Sequence, residues 1–111
     1  MLEAEFTATR NTPRFSFVAE AEVTWLANQT RMVARVSELS AQGCYVDTAS
    51  PFPLNAELHV LIRFGCSTCE LPGKVIYTHS GYGMGVLFGD LSSLHRSTLS
   101  SWLDELARKS T

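Results

Sequence analysis

The stretch TRMVARVSELSAQGCYVDT, residues 30–48, decides the fold. In its first part Met32, Ala34 and Val36 alternate with Arg31, Arg35 and Ser37, and only Val33 breaks the pattern. A period of two is the mark of a half-buried antiparallel strand. Residues 44–48 read as a second, shorter strand. Between the two, Glu38 to Gly43 reads as a turn, with Gly43 able to supply the positive φ that a tight reversal often needs. That turn carries a carboxylate (Glu38), a hydroxyl (Ser40) and an amide (Gln42) within five residues. Such groups either cap the turn or face a ligand, and alternation alone does not choose between them.

Working outward, residues 15–26 form a first long strand, with Phe15, Phe17, Ala19, Ala21, Val23 and Trp25 on one face. Ala27-Asn28-Gln29 turns it back onto residues 30–37 as a hairpin. Residues 49–55 hold Pro51 and Pro53, two apart, and so make a loop rather than a central strand. A fourth strand covers residues 56–64, a turn follows at 65–68, and a fifth strand covers residues 69–79. Pro72-Gly73 is expected to bend or bulge that fifth strand. The sixth strand, residues 82–88, contains Gly83 and Gly85, which remove side chains where another backbone or a neighbouring strand comes close. After Asp90 the period changes. Leu91, Leu94, Thr98, Leu99, Trp102, Leu103 and Leu106 recur at helical spacing, so a helix is expected over residues 92–108, with His95 on or near its polar side. Six antiparallel strands with short connections, then one helix, give an all-β fold: a six-stranded antiparallel barrel with one C-terminal α-helix. Residues 1–9 are read as a flexible tail and 10–111 as one domain.

Composition narrows the function classes. Apolar residues are 45% and charged residues 18% of the 111, normal for a globular domain. The net charge of −2 gives no global pull toward DNA, RNA or an anionic membrane, so none of these is an expected partner. Any anion must be held by a local cluster of cations. No apolar run approaches the ~20 residues of a membrane span. The leading residues, with Glu3 and Glu5, do not read as a secretory signal, and a cytoplasmic location is expected.

Catalytic and metal chemistry find little footing. The cysteines are Cys44, Cys66 and Cys69, an odd number. Cys66 and Cys69 have a two-residue spacer, but there is no second ligand pair nearby in sequence and no βαβ pattern, so they read as strand or turn thiols. His59, His79 and His95 make no i, i+4 metal pair. No phosphate loop of either common spacing and no strand-to-helix serine elbow occurs. The expectation is a non-enzyme without metal or cofactor.

One constellation remains. Arg10 and Arg14 lie on a short arm that Pro13 biases toward an extended path. Two such guanidinium groups can clamp phosphates bidentately or stack on a base. A carboxylate such as Glu38 matches the paired N–H donors of a guanine edge, and Ser40 and a bare Gly43 leave polar atoms and room beside it. Together these parts suit an anionic, guanine-bearing ligand.

The residues that carry a family resemblance are Arg10-x-x-x-Arg14, Glu38-x-Ser40-x-x-Gly43, Cys44-Tyr45-Val46, the proline loop, and Gly83-Met84-Gly85-Val86-Leu87-Phe88. In this order the chain resembles a PilZ domain, the cyclic di-GMP receptor module of bacteria, over about residues 8 to 106. The resemblance implies a PilZ-like barrel of the split-barrel type. It implies cyclic di-GMP as ligand, with Arg10, Arg14, Glu38, Ser40 and Gly43 as binding residues. It also implies a shape change on binding, passed to an unidentified effector protein. The family prefers Asp or Asn where this chain has Glu38, whose extra methylene shifts the carboxylate. One good hydrogen bond to a charged group is worth about 1.5–3 kcal/mol, roughly ten- to a hundredfold in affinity. The alternative is a nucleotide-independent adaptor of the same fold, serving motility, secretion or envelope biosynthesis.

Overall fold

The computed structural model describes residues 13–109. Six strands appear in chain order: β1 (Phe15–Trp25), β2 (Thr30–Leu39), β3 (Gly43–Asp47), β4 (Glu57–Phe64), β5 (Ser67–His79) and β6 (Gly83–Phe88). A helix, α1 (Ser93–Lys109), follows. All neighbouring strands are antiparallel, and the sheet closes on itself in the order β1-β2-β3-β6-β5-β4. The expected six-stranded antiparallel barrel with a C-terminal helix is therefore the observed architecture. Among the described residues no helix is long and apolar enough to cross a membrane.

The alternation of β1 survives intact: Phe17, Ala19, Ala21 and Val23 point into the core, while Val18 is 68% exposed. Inward residues of the other strands, such as Val36, Leu39, Val60, Ile62 and Leu71, meet them there. No polar or charged side chain is buried among the described residues, so the interior is a purely apolar plug. Outside, Glu22 on β1 sits between Arg63 of β4 (2.9 Å) and Arg31 of β2 (3.4 Å). The bond and charge of Arg63 hold its carboxyl below the usual range.

Three bulges interrupt the pairing register. One adds a residue to β1 between Ser16 and Ala19, against β2. A second lies on β2, where Val36 pairs with Val46 but Glu38 pairs with Tyr45, leaving Ser37 extra. Val36 and Leu39, three apart, are thus both fully buried. This corrects the expected strand end at residue 37: β2 runs two residues further, because Phe15 and Ser16 continue to pair with Leu39 and Glu38. The third bulge is on β5 at Ile76, against β6. Of the bend or bulge expected at Pro72-Gly73, no bulge occurs; pairing with β4 runs unbroken through His59↔Pro72 and Leu58↔Gly73. The carbonyl of Pro72 accepts from Gly89 N at 2.8 Å, on the side where β6 has already ended. The nitrogen of Pro72 faces that same side, so its missing N–H leaves no gap in a ladder.

The first half of β5 would have an open edge there, and α1 covers it. Ser92 caps the helix, its Oγ accepting from His95 N at 3.3 Å. The Nδ1 of His95 accepts from Glu70 N at 3.1 Å, and the Cys69 thiol donates to the His95 carbonyl at 3.4 Å. His95 therefore faces the barrel, not the polar side. Stepping by four from Leu91 through His95 to Leu99 places it, half-buried, on the stripe that faces the barrel. Leu94, expected in that stripe, is 71% exposed. Further along, Trp102 packs on Phe17 (5.7 Å between centroids) and edge-on to Phe64 (5.6 Å).

Trp102 is 4% exposed and is the main anchor of α1. Replacing it with alanine should cost about 3–5 kcal/mol of stability, read from urea denaturation. A loss below about 1 kcal/mol would mean that the helix is dispensable to the barrel.

Candidate functional site

The site lies at the end of the barrel where β1 begins. Phe15 and Ser16 pair with Leu39 and Glu38, so Arg14, just ahead of β1, is carried to the outer side of β2. The Arg14 guanidinium lies 3.8 Å from the Glu38 carboxylate, both side chains roughly half exposed. Two residues that stand 24 positions apart thus meet because one hairpin brings them together. Glu38 is a strand residue rather than part of the turn, since the Ser37 bulge returns it to the outer face.

Ser40 closes the short turn that follows. Its Oγ accepts from Gln42 N (3.3 Å) and Gly43 N (3.2 Å), and it donates to the Gly43 carbonyl at 3.3 Å. The Ser40 N–H donates to that same carbonyl at 2.9 Å. Of the two roles open to this hydroxyl, capping is the one it performs in this structure. Phe88 N then donates to Gln42 O at 2.7 Å, tying the turn to β6. Gly43 is not at positive φ, contrary to expectation; the positive-φ glycines are Gly65 and Gly81. Gly43 is the first residue of β3, and a Cβ there would run into the Val86 carbonyl oxygen. Its role is close approach of two strands, not a left-handed turn. Arg10 lies outside the described residues.

Beside this rim stands an aromatic group that periodicity did not single out. Tyr45, Tyr77 and His79 lie on the outer face of β3 and β5, with centroids 5.3 to 6.2 Å apart. The Tyr45 hydroxyl is 2.9 Å from His79 Nδ1. Their rings occupy the space left by the bare glycines of β6. A Cβ on Gly83 would lie 2.6 Å from the Tyr45 ring and 2.5 Å from the Val46 carbonyl, and one on Gly85 would strike the Tyr77 ring. The close approach expected at these glycines is therefore present, but the main neighbours are rings. The signal available in the sequence was the pair of tyrosines flanking that glycine strand; the Ile76 bulge hid the facing of Tyr77.

Electrostatics tie Tyr77 to the rim. Burial raises its pKa, the Arg14 guanidinium works against that rise, and Glu38 adds to it. Burial and the Asp47 carboxylate likewise raise that of Tyr45. Both hydroxyls therefore stay protonated at neutral pH. The thiols are not poised for chemistry: burial pushes Cys44 up to about 12, and burial with Glu70 pushes Cys69 up to about 11. Cys66 is exposed at its turn while Cys69 is buried, so the two do not share a face.

A closed antiparallel barrel with a charged rim at the start of β1 defines the class of molecule. The chain belongs to the PilZ domain family, whose model matches residues 8–105. Solved structures agree on the fold. The PilZ domain of YcgR from Escherichia coli, solved with c-di-GMP, superposes with a TM-score of 0.74 at 17% identity, covering 91% of this chain and 93% of that one. The PilZ domain of CeSA from a cellulose-synthesizing bacterium gives 0.70 at 15%, covering 86% and 98%. The Bacillus subtilis inhibitor of motility, MotI/DgrA, gives 0.74 at 16%, covering 91% of this chain but 51% of that protein. This chain therefore spans about half the length of the Bacillus subtilis protein. No curated protein matches it in sequence.

Gly43→Ala should force β3 and β6 apart and lower stability by about 1–3 kcal/mol. Chemical denaturation checks this; an unchanged midpoint would remove the close-approach role.

Proposed function

We propose that this chain is a cyclic di-GMP receptor that fixes its arginine arm on binding and passes that change to a partner protein. The observation that carries the reading is the meeting of Arg14 with Glu38 at the capped turn, in a member of a family with a solved c-di-GMP complex. In this reading Arg14 and Arg10 clamp phosphate and stack on a base, while Glu38 accepts from the guanine edge. Ser40 and Gly43 act indirectly, by holding the turn in shape. No metal or other cofactor is required, and the chain carries out no reaction.

The Arg14–Glu38 contact does not stand in the way. A half-exposed ion pair is worth about 0–1 kcal/mol, less than a charge-assisted, bidentate phosphate contact provides. The ligand can therefore take Arg14 from Glu38 at small cost, and the released carboxylate is left beside the incoming base. The contact length also bears on the Glu for Asp or Asn exchange. A shorter side chain at position 38 would hold Arg14 less and sit closer to the strand.

The adaptor alternative has one observation of its own. At the far end of β1 an open groove is lined by Trp25, Leu26, Pro53 and Leu54, with Leu26 and Leu54 about half exposed. It lies away from the arginine arm and offers apolar surface to a protein partner. The two readings are compatible if the groove is the output face of the receptor.

Calorimetric titration with cyclic di-GMP should give saturable heat at micromolar concentrations. Arg14→Ala should abolish it, and Glu38→Asp should tighten binding by about tenfold. No heat from the folded wild-type chain at tens of micromolar nucleotide would overturn the receptor reading and leave the adaptor. A weaker Glu38→Asp variant would reverse the account of that position.

A further inference from the structure

β2 has an open flank. From Arg35 to Leu39 it pairs with β1 on one side and β3 on the other. From Thr30 to Ala34 it keeps β1 but, among the described residues, has no strand on its other side. The neighbouring ladders show which backbone groups face that opening. Leu26, the residue after β1, donates its N–H to Glu57 O, so Thr24 and Glu22 turn toward β4 while Trp25 and Val23 turn toward β2. Thr30 and Met32, which pair with Trp25 and Val23, therefore turn toward β1. The N–H and C=O groups of Arg31 and Val33 point the other way, into the opening. Sheet edges are commonly blunted by proline, lysine, inward charges or a bulge. Residues 30–34 contain none of these, and the Ser37 bulge lies beyond them. The guards of this edge are its shortness and the charge of Arg31.

The side chains define what fits there. Val33 stands on the outer face, 67% exposed, while Met32 and Ala34 on the inner side are half-buried against the core. The segments bordering the opening, the hairpin loop 26–29 and the loop 48–55 that leaves β3, carry no charge. Arg31 is therefore the charge that an added strand meets. Its pair with Glu22, at 3.4 Å and with 67% of the Arg31 side chain exposed, is worth about 0–1 kcal/mol, so the guanidinium is available to a second carboxylate. A second copy of this chain, paired through the same residues, would set Arg31 diagonal to its own counterpart, like charge near like. We propose that the open flank of β2 takes an extended segment of a protein partner as an added strand, with an acidic side chain opposite Arg31 and a β-branched apolar one opposite Val33. The proposal does not depend on the receptor reading: the flank lies at the opposite end of β2 from Glu38 and Arg14, and its test uses no nucleotide.

The probe is a blocked heptapeptide, Ser-Thr-Val-Leu-Glu-Thr-Ser, which in the antiparallel direction sets its Val, Leu and Glu opposite Val33, Met32 and Arg31. In amide NMR titrations of the nucleotide-free chain, saturable shifts should centre on Arg31 and Val33, and those two amides should gain protection from hydrogen exchange. Replacing the peptide's Glu by Lys should weaken binding about two- to tenfold, and Arg31→Glu should reverse that preference. N-methylation of the peptide at its Val and Glu removes the ladder donors and should abolish binding. Shifts centred elsewhere, no shifts at millimolar peptide, equal affinity for the Glu and Lys peptides, or undiminished binding of the N-methylated peptide would each overturn the proposal. So would a dimer of the chain alone that Val33→Lys dissolves, which would give the flank to a second copy. Loss of Arg31 and Val33 amide protection on removal of residues 1–8 would overturn it too, by giving the flank to the chain's own leader.

Discussion

The pairing of β1 with β4 is the constraint on which this structure depends. β1 hydrogen-bonds along both edges, to β2 for most of its length and to β4 from Glu20 to Trp25. That second edge converts a curled sheet into a barrel and leaves β1 and β4 with paired neighbours on either side. Without it, the inward residues of β1 and β4 would face water, and the apolar plug would have no wall. Closure also fixes where the barrel ends lie. The start of β1 pairs only with β2 and so projects beyond the β4 seam. Arg14 is held at that projecting end, next to Glu38.

Where closure sets the frame, bulges aim the side chains. Ser37 and Ile76 are single extra residues on different strands, and each reverses the facing of the residues after it. The first puts Leu39 into the core and Glu38 outside; the second puts Tyr77 outside. Each outcome combines a packed or filled space inside with a polar side chain set on the outer face. The outer-face row of paired residues Glu38, Tyr45, Gly85 and Tyr77 is therefore a product of two departures from regular sheet, not of regular sheet itself.

These departures also explain what could be read from the sequence. The hairpin of β1 and β2, the proline loop, the strand count and the helix were legible because they rest on periodicity and on Pro and Gly chemistry. The meeting of Arg14 with Glu38 was legible through the spacing of motifs along one hairpin, although Glu38 itself was read as a turn residue and stands in β2. What was not legible depended on registers between distant strands. Leu39 and Tyr77 break the period of two because of bulges that a single strand does not announce. Gly43 suggests backbone freedom when read alone, whereas its place is decided by the Val86 carbonyl, 43 positions downstream. His95 reads as an outward residue because it is polar, although the helical step aligns it with Leu91 and Leu99. The half-buried imidazole is accommodated on that face by accepting the Glu70 N–H of the strand edge.

The glycine strand shows how such a surface is maintained. A glycine inside a strand costs roughly 0.5–1 kcal/mol relative to alanine, so Gly83 and Gly85 weaken β6 by propensity alone. A strand this poor in side chains should be an edge or a loop, yet β6 is paired along both sides. The two tyrosines resolve the conflict. Each aromatic ring carries a large apolar area, and neighbouring rings add about 0.5–1.5 kcal/mol beyond that area. Lying over the bare backbone, they recover at the face what β6 gives up in its chain. Were alanine substituted at either glycine, the rings would have to lift, and the outer face would lose its packing. The bare strand and the aromatic cover are thus one device, and a ring-covered outer face beside the charged rim is its direct consequence.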